Sequence, residues 1–110
     1  MPVRRKRRRY LGVKADCARA LTAKEMVDTI QRGVIDLCGV VGLSTVEPSL
    51  IEFDEESQRG ILRCNRERVR TLRAALALIT DVGGTPTAIR VTGVSGTIRS
   101  LRRRGPEPIL

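Results

Sequence analysis

The 110-residue chain contains no histidine and no tryptophan, and its aromatic side chains are one tyrosine and one phenylalanine. Without histidine, a serine nucleophile has no imidazole base and a zinc site lacks its usual nitrogen ligand. The three cysteines, Cys17, Cys38 and Cys64, are far apart and form no CxxC pair. Reduced thiols in a cytoplasmic protein are therefore the expectation. No stretch approaches the roughly 18 apolar residues of a membrane span, so no membrane partner is expected. The basic start is not followed by an apolar segment, because Asp16 and Arg19 interrupt it, and it is not read as an export signal. Aromatics are 2% of the chain and apolar residues 41%, so the core must be aliphatic. A chain of this length buries enough surface for one domain.

Arginine is abundant instead. It outnumbers lysine 18 to 3 within a net charge of +9, which favours forked contacts to phosphate over point charges. Arg4, Arg5, Lys6, Arg7, Arg8 and Arg9 form one block, and Arg99, Arg102, Arg103 and Arg104 form another. Between Tyr10 and Ile98, 11 basic and 11 acidic residues cancel. A neutral body with two basic ends is the pattern of a polyanion binder.

Residues 1–8 are expected to be a disordered basic arm, residues 9–104 a single domain and residues 105–110 a flexible tail. In "RYLGVKA" polar and apolar residues alternate, which predicts a first strand. Thr22 and Glu25 form a T-x-x-E capping box ahead of a helix. Its apolar stripe is Met26, Val27, Ile30, Val34, Leu37, Cys38 and Val41, with Asp28, Arg32 and Asp36 on the opposite face. Gly33, at the edge of the stripe, is either tolerated or makes room for a close neighbour such as a partner chain. Gly39 and Gly42 are expected to end the helix. Two strands follow, at 50–53 and 60–64, joined by the polar loop "DEESQR". Asn65 caps a second helix over 66–80, with Val69, Leu72, Leu76 and Ile79 buried and Arg66, Arg70 and Arg73 on a separate face. "DVGGTP" reads as a turn, 87–92 as a fourth strand and 97–103 as a short helix. This order predicts an α+β fold, a two-layer βαββαβ sandwich of the ferredoxin-like or RNA-recognition-motif-like kind with a short C-terminal helix.

The stretch "VTGVSGTIRSLRRRG" carries the chemistry. A nucleophile elbow needs glycine at its fifth position, where this chain has Thr97, and no base is available. Two readings remain open. Gly93 and Gly96 serve only the geometry of a strand-to-helix turn, or Gly93, Ser95, Gly96 and Thr97 form a cradle for phosphate at a helix start. The adjacent arginines favour the cradle. The carboxylates Glu47, Glu52, Asp54, Glu55 and Glu56 centre on a hairpin, where a solvated loop explains them better than magnesium does. An RNA-recognition sheet stacks bases on two or three aromatics. Tyr10 and Phe53 do not supply such a motif, so recognition of folded RNA through backbone and shape fits better. Arg66, Arg70 and Arg73 would extend that surface.

The segments "RYLGVKA", "SLIEFDEESQRGILRCNRERVRTLRAALALI" and "VTGVSGTIRSLRRR" resemble the archaeal ribonuclease P protein component 2 family over about residues 9–104. The resemblance implies an RNA-recognition-motif-like sandwich that assists a catalytic RNA and is not itself the catalyst. In that family the RNA uses magnesium to remove the 5′ leader from precursor tRNA, and the protein binds no cofactor. The implied partners are the catalytic RNA, precursor tRNA and protein component 3, with self-association at the centre of a two-plus-two assembly. Two rival readings are a nucleic-acid-coating protein without sequence preference and a small-molecule-sensing ferredoxin-like dimer.

Overall fold

The first strand sets the two layers. In β1 (Arg8–Cys17) Leu11, Val13 and Ala15 are buried while the residues between them are half-buried or exposed. Alternation of this kind gives a strand one apolar face, which packs under helices. The structure, a computed structural model, describes residues 7–103. Arg4, Arg5, Lys6 and Arg104 lie outside the described residues, as do most of the expected arm and the tail.

After β1, Thr22 caps α1 (Ala23–Val46) with the predicted box: its Oγ1 accepts the Glu25 N–H, and the Glu25 carboxylate accepts the Thr22 N–H. Contrary to expectation, α1 does not stop at Gly39. At φ 74° and ψ −179° Gly39 kinks the chain, which then resumes helix and ends at Val46, where Glu47 turns left-handed. The kink brings Cys38 so close that a Cβ at position 42 would stand 2.0 Å from the Cys38 Cβ, so only glycine fits there. The predicted stripe is correspondingly cut short. Met26, Ile30 and Val34 are buried, but Leu37 and Val41 are exposed and Cys38 is only half-buried.

The hairpin of β2 (Ser49–Asp54) and β3 (Arg59–Asn65) leads into a 3₁₀ turn (Arg66–Arg68), capped by the Asn65 side chain, and then α2 (Val69–Ala77). The helix predicted from residue 66 thus opens with one tighter turn. The "DVGGTP" turn is itself a small hairpin. β4 (Asp81–Val82) pairs with the start of β5 (Thr85–Ser95), and Gly83 and Gly84 supply the two positive φ angles that a tight two-residue connection demands. A short α3 (Ile98–Arg103) follows.

The sheet is antiparallel in the order β2-β3-β1-β5-β4, the ferredoxin-like arrangement with one extra edge. Leu11, Val13, Leu62, Cys64 and Ile89 of the sheet meet Met26, Ile30, Val34, Leu72, Ala75 and Leu76 of α1 and α2 in one aliphatic core. Gly33 has its close neighbour within this chain: a Cβ there would lie 3.2 Å from Ile79, so the glycine lets α1 and α2 approach. On the other sheet face Tyr10, Gly12 and Lys14 pair across with Arg63, Ile61 and Arg59. Over this face lies α3, which touches β1 and β5 and reaches Glu52 of β2 through Arg102.

Candidate nucleic-acid interface

Antiparallel pairing decides where the arginines go. The start of β1, the end of β3 and the end of β5 must lie side by side, because Arg8 pairs with Asn65 and Tyr10 with Ser95. One further backbone bond, Arg66 N–H to the Arg7 carbonyl at 3.1 Å, extends the ladder into the 3₁₀ turn. Arg7, Arg8 and Arg9 therefore stand beside Arg66 and Arg68, and the Arg9 guanidinium lies against Gly96. Arg70, in the first turn of α2, and Arg73 continue this edge. Arg7, Arg66, Arg68, Arg70, Arg73 and Arg99 are all exposed. Arg8 is half-buried and pairs with Glu47 at 3.7 Å.

The glycine-serine stretch is less of a turn than its composition suggests. Gly93 and Ser95 lie within β5, with Gly93 opposite Gly12 across a bulge, and neither Gly93 nor Gly96 has a positive φ. Only Gly96 and Thr97 bend the chain. The hydroxyls of both Ser95 and Thr97 accept backbone N–H groups, of Thr97 at 3.3 Å and of Ser100 at 3.1 Å. They are caps for the bend and for α3, and each keeps its own O–H as a donor. With two N–H groups already taken and α3 only six residues long, the expected backbone cradle reduces to hydroxyls and guanidinium groups.

The second arginine block divides. Arg99 projects to solvent, whereas Arg102 bonds to Glu52 at 2.5 Å and ties α3 across the sheet. The backbone of Arg103 closes α3. The two aromatics also separate: Phe53 packs against the core, leaving Tyr10 on the opposite face.

Sequence reasoning missed Arg68, and it missed the cations of the roofed sheet face. Lys14 pairs with Asp16 at 3.8 Å and Arg90 with Asp16 at 2.7 Å, while the Arg63 Nε is buried without a partner. Strand parity was the available signal, since Lys14 sits two residues from Gly12 on the face that Leu11 and Val13 avoid.

The opposite end of the molecule mixes carboxylates with Lys14, Arg19, Arg59 and Arg90, and its carboxylates hold local donors. Asp54 accepts the Glu56 N–H and the Ser57 hydroxyl, and Glu55 accepts the N–H of Ala23 at the start of α1. Of the exposed hairpin carboxylates, those of Asp54 and Glu55 thus also carry structural bonds. Arg19 grips Glu25 at 2.6 and 3.0 Å and, with the Thr22 N–H, holds its carboxyl down at about 2.

Fold and charge together define the class: a small sandwich of the RNA-recognition-motif type, with the face that would stack bases roofed by its own last helix and an arginine-rich end. The chain matches the Rpp14/Pop5 family over residues 9–105 and belongs to that family. It is 37% identical to ribonuclease P protein component 2 of Thermococcus gammatolerans over 103 residues, 94% of this chain and 86% of that protein. The component 2 proteins of Pyrococcus furiosus and Methanocaldococcus jannaschii are 35% and 36% identical, over 94% and 92% of this chain and 86% and 74% of their own lengths. A chain of yeast ribonuclease MRP, seen by cryo-electron microscopy, shares the fold with a TM-score of 0.70 at 14% identity, over 87% of this chain and 79% of its own.

Proposed function

We propose that this chain is a protein subunit of ribonuclease P that grips the catalytic RNA through phosphates and so supports removal of the 5′ leader from precursor tRNA. The observation that carries the proposal is the convergence of three strand ends on one arginine-rich edge. Arg7, Arg9, Arg66, Arg68, Arg70 and Arg99 there belong to four segments that only the fold brings together. Guanidinium groups bind phosphate oxygens in a forked geometry, and phosphate contacts position a protein without reading bases. The roofed sheet, with Tyr10 alone on that face, agrees with recognition by backbone and shape. The protein supplies no catalytic group in this reading. Magnesium is held by the RNA, and arginines that neutralise crowded phosphates lower the concentration of the ion that the RNA needs to fold. Protein component 3 is the proposed protein partner, with a homodimer inside a larger assembly.

The test is reconstitution of precursor-tRNA cleavage from the RNA subunit and component 3 at low magnesium, with and without this chain. A rate gain on adding it is expected, and no gain would overturn the proposal. A general coating protein would bind duplex DNA as tightly as the RNA at equal salt, so competition between the two separates the readings.

A further inference from the structure

A groove of about 460 Å³ runs between α1 and the segment joining α2 to β4, and its lining reverses the charge of the chain. Asp28, Asp36 and Asp81 border it against a single cation, Arg32, in a protein of net +9. Glu25 also borders it, but that carboxylate is committed to Arg19 and to the cap of α1. Among the described residues no ion pair engages the three aspartates. The floor is apolar, formed in part by Ile79 and Val82, and it opens onto Leu37 and Leu78, which are 43% and 63% exposed. One exposed leucine is ordinary, but two beside an apolar floor make a continuous patch, and an apolar patch with a charged rim is the usual form of a protein-docking surface.

The charge decides what kind of partner fits. A phosphate polymer is repelled by this rim, and a neutral apolar segment would desolvate three carboxylates of which, among the described residues, Asp81 alone has an internal donor, the Gly84 N–H at 3.1 Å. We infer that the groove docks a basic amphipathic segment of another protein, with its apolar side chains on Leu37, Leu78 and Val82 and its Lys or Arg residues against Asp28, Asp36 and Asp81. Asp28 and Asp36 are eight residues apart on α1, about 12 Å along its axis, so a helix laid alongside presents matching cations two turns apart. The groove lies toward β4 and the start of α1, away from the arginine edge, so a protein here and RNA there do not compete. The inference draws on the subunit reading only for the source of the partner.

The test places the photo-crosslinking residue p-benzoylphenylalanine at Leu78 in the full chain, assembles the ribonucleoprotein with its other subunits, and maps the crosslink by mass spectrometry. The expected product joins position 78 to an apolar segment of another protein subunit that carries Lys or Arg. Asp28→Lys with Asp36→Lys should then lower retention of that subunit at least tenfold, and Lys→Glu or Arg→Glu at the mapped partner position should restore it. Circular dichroism of the double variant confirms that it folds. A crosslink to RNA, a crosslink to a second copy of this chain, no protein crosslink, or retention unchanged by charge reversal would each overturn the inference. Replacing Arg66, Arg68 and Arg70 leaves the crosslink in place, so failure of the RNA reading is seen separately.

Discussion

Glu25 is where most of the local order around the start of α1 meets. Its carboxylate takes two bonds from Arg19 and one from the Thr22 N–H, while its own N–H is capped by the Thr22 hydroxyl. These donors favour the ionised form and lower its pKa from 4.5 to about 2. A carboxyl whose pKa falls on folding contributes stability that is full above the unfolded value and is lost as pH drops through the folded one. Urea midpoints measured from pH 5 to pH 2 should therefore decline, and decline less steeply in Glu25→Gln. Parallel profiles would remove Glu25 from the account. The cysteines separate by the same reasoning. Burial pushes the Cys64 thiol up to about 11, whereas the Thr87 hydroxyl, and then the Arg19 N–H, draw the Cys17 thiol down. With Ellman's reagent at pH 8, Cys17 should react in the native protein and Cys64 only after unfolding. Labelling of Cys64 at the native rate of Cys17 would contradict the burial of that thiol.

At the level of elements, Gly39 shows how one residue can be read correctly as a signal and wrongly as an outcome. Glycine in a helix pattern marks either a stop or a hinge, and the choice depends on what the chain beyond it can bury. Here Val46 reaches the core and Leu43 packs against it, so the helix resumes. In an ordinary helix interior Gly→Ala gains about 1 kcal/mol. At φ 74° and ψ −179° the backbone occupies a region essentially reserved for glycine, where other residues cost about 1–3 kcal/mol. Gly39→Ala should therefore destabilise, by an amount read from the urea midpoint, although nothing lies within 4 Å of the new methyl. A stabilised variant would show that the kink is not a fixed feature. Strand alternation, the capping box and the α2 stripe were all legible because each is set by neighbours within a few residues. Arg68 was overlooked because helical spacing was applied from Arg66 onward, and the 3₁₀ turn winds more tightly than that spacing assumes. The roof over the sheet was illegible too, since Arg102 meets Glu52 across 50 residues of chain.

The charge of the whole molecule is uneven, with a cluster of exposed arginines at one end of the sandwich and carboxylates largely balanced by neighbouring cations at the other. Such a distribution orients the protein in the field of a polyanion before contact. The two basic blocks were visible in the sequence, but their convergence was not, because it depends on antiparallel pairing of strand ends more than 50 residues apart. That pairing also refines how the arm must be tested. Arg8 is already in β1, and the Arg7 carbonyl holds the 3₁₀ turn, so removing residues 2–8 would damage the sheet, and the cut that tests the arm is residues 2–6. Each phosphate contact adds roughly 0.7–0.9 to the slope of log affinity against log salt, the lower value for single strands. Deletion of residues 2–6, which takes away Arg4, Arg5 and Lys6, should flatten the slope and weaken binding while cleavage at saturating protein is unchanged. Replacing Arg66, Arg68 and Arg70 by alanine should flatten the slope by about 2–3 units and lower cleavage at saturation as well, because these side chains stand on rigid elements and position the RNA. Filter binding of the RNA subunit from 50 to 400 mM salt, paired with single-turnover cleavage, distinguishes the two variants. If the arm deletion abolishes cleavage at saturation while the triple alanine variant preserves it, the positioning role belongs to the arm and not to the arginine edge.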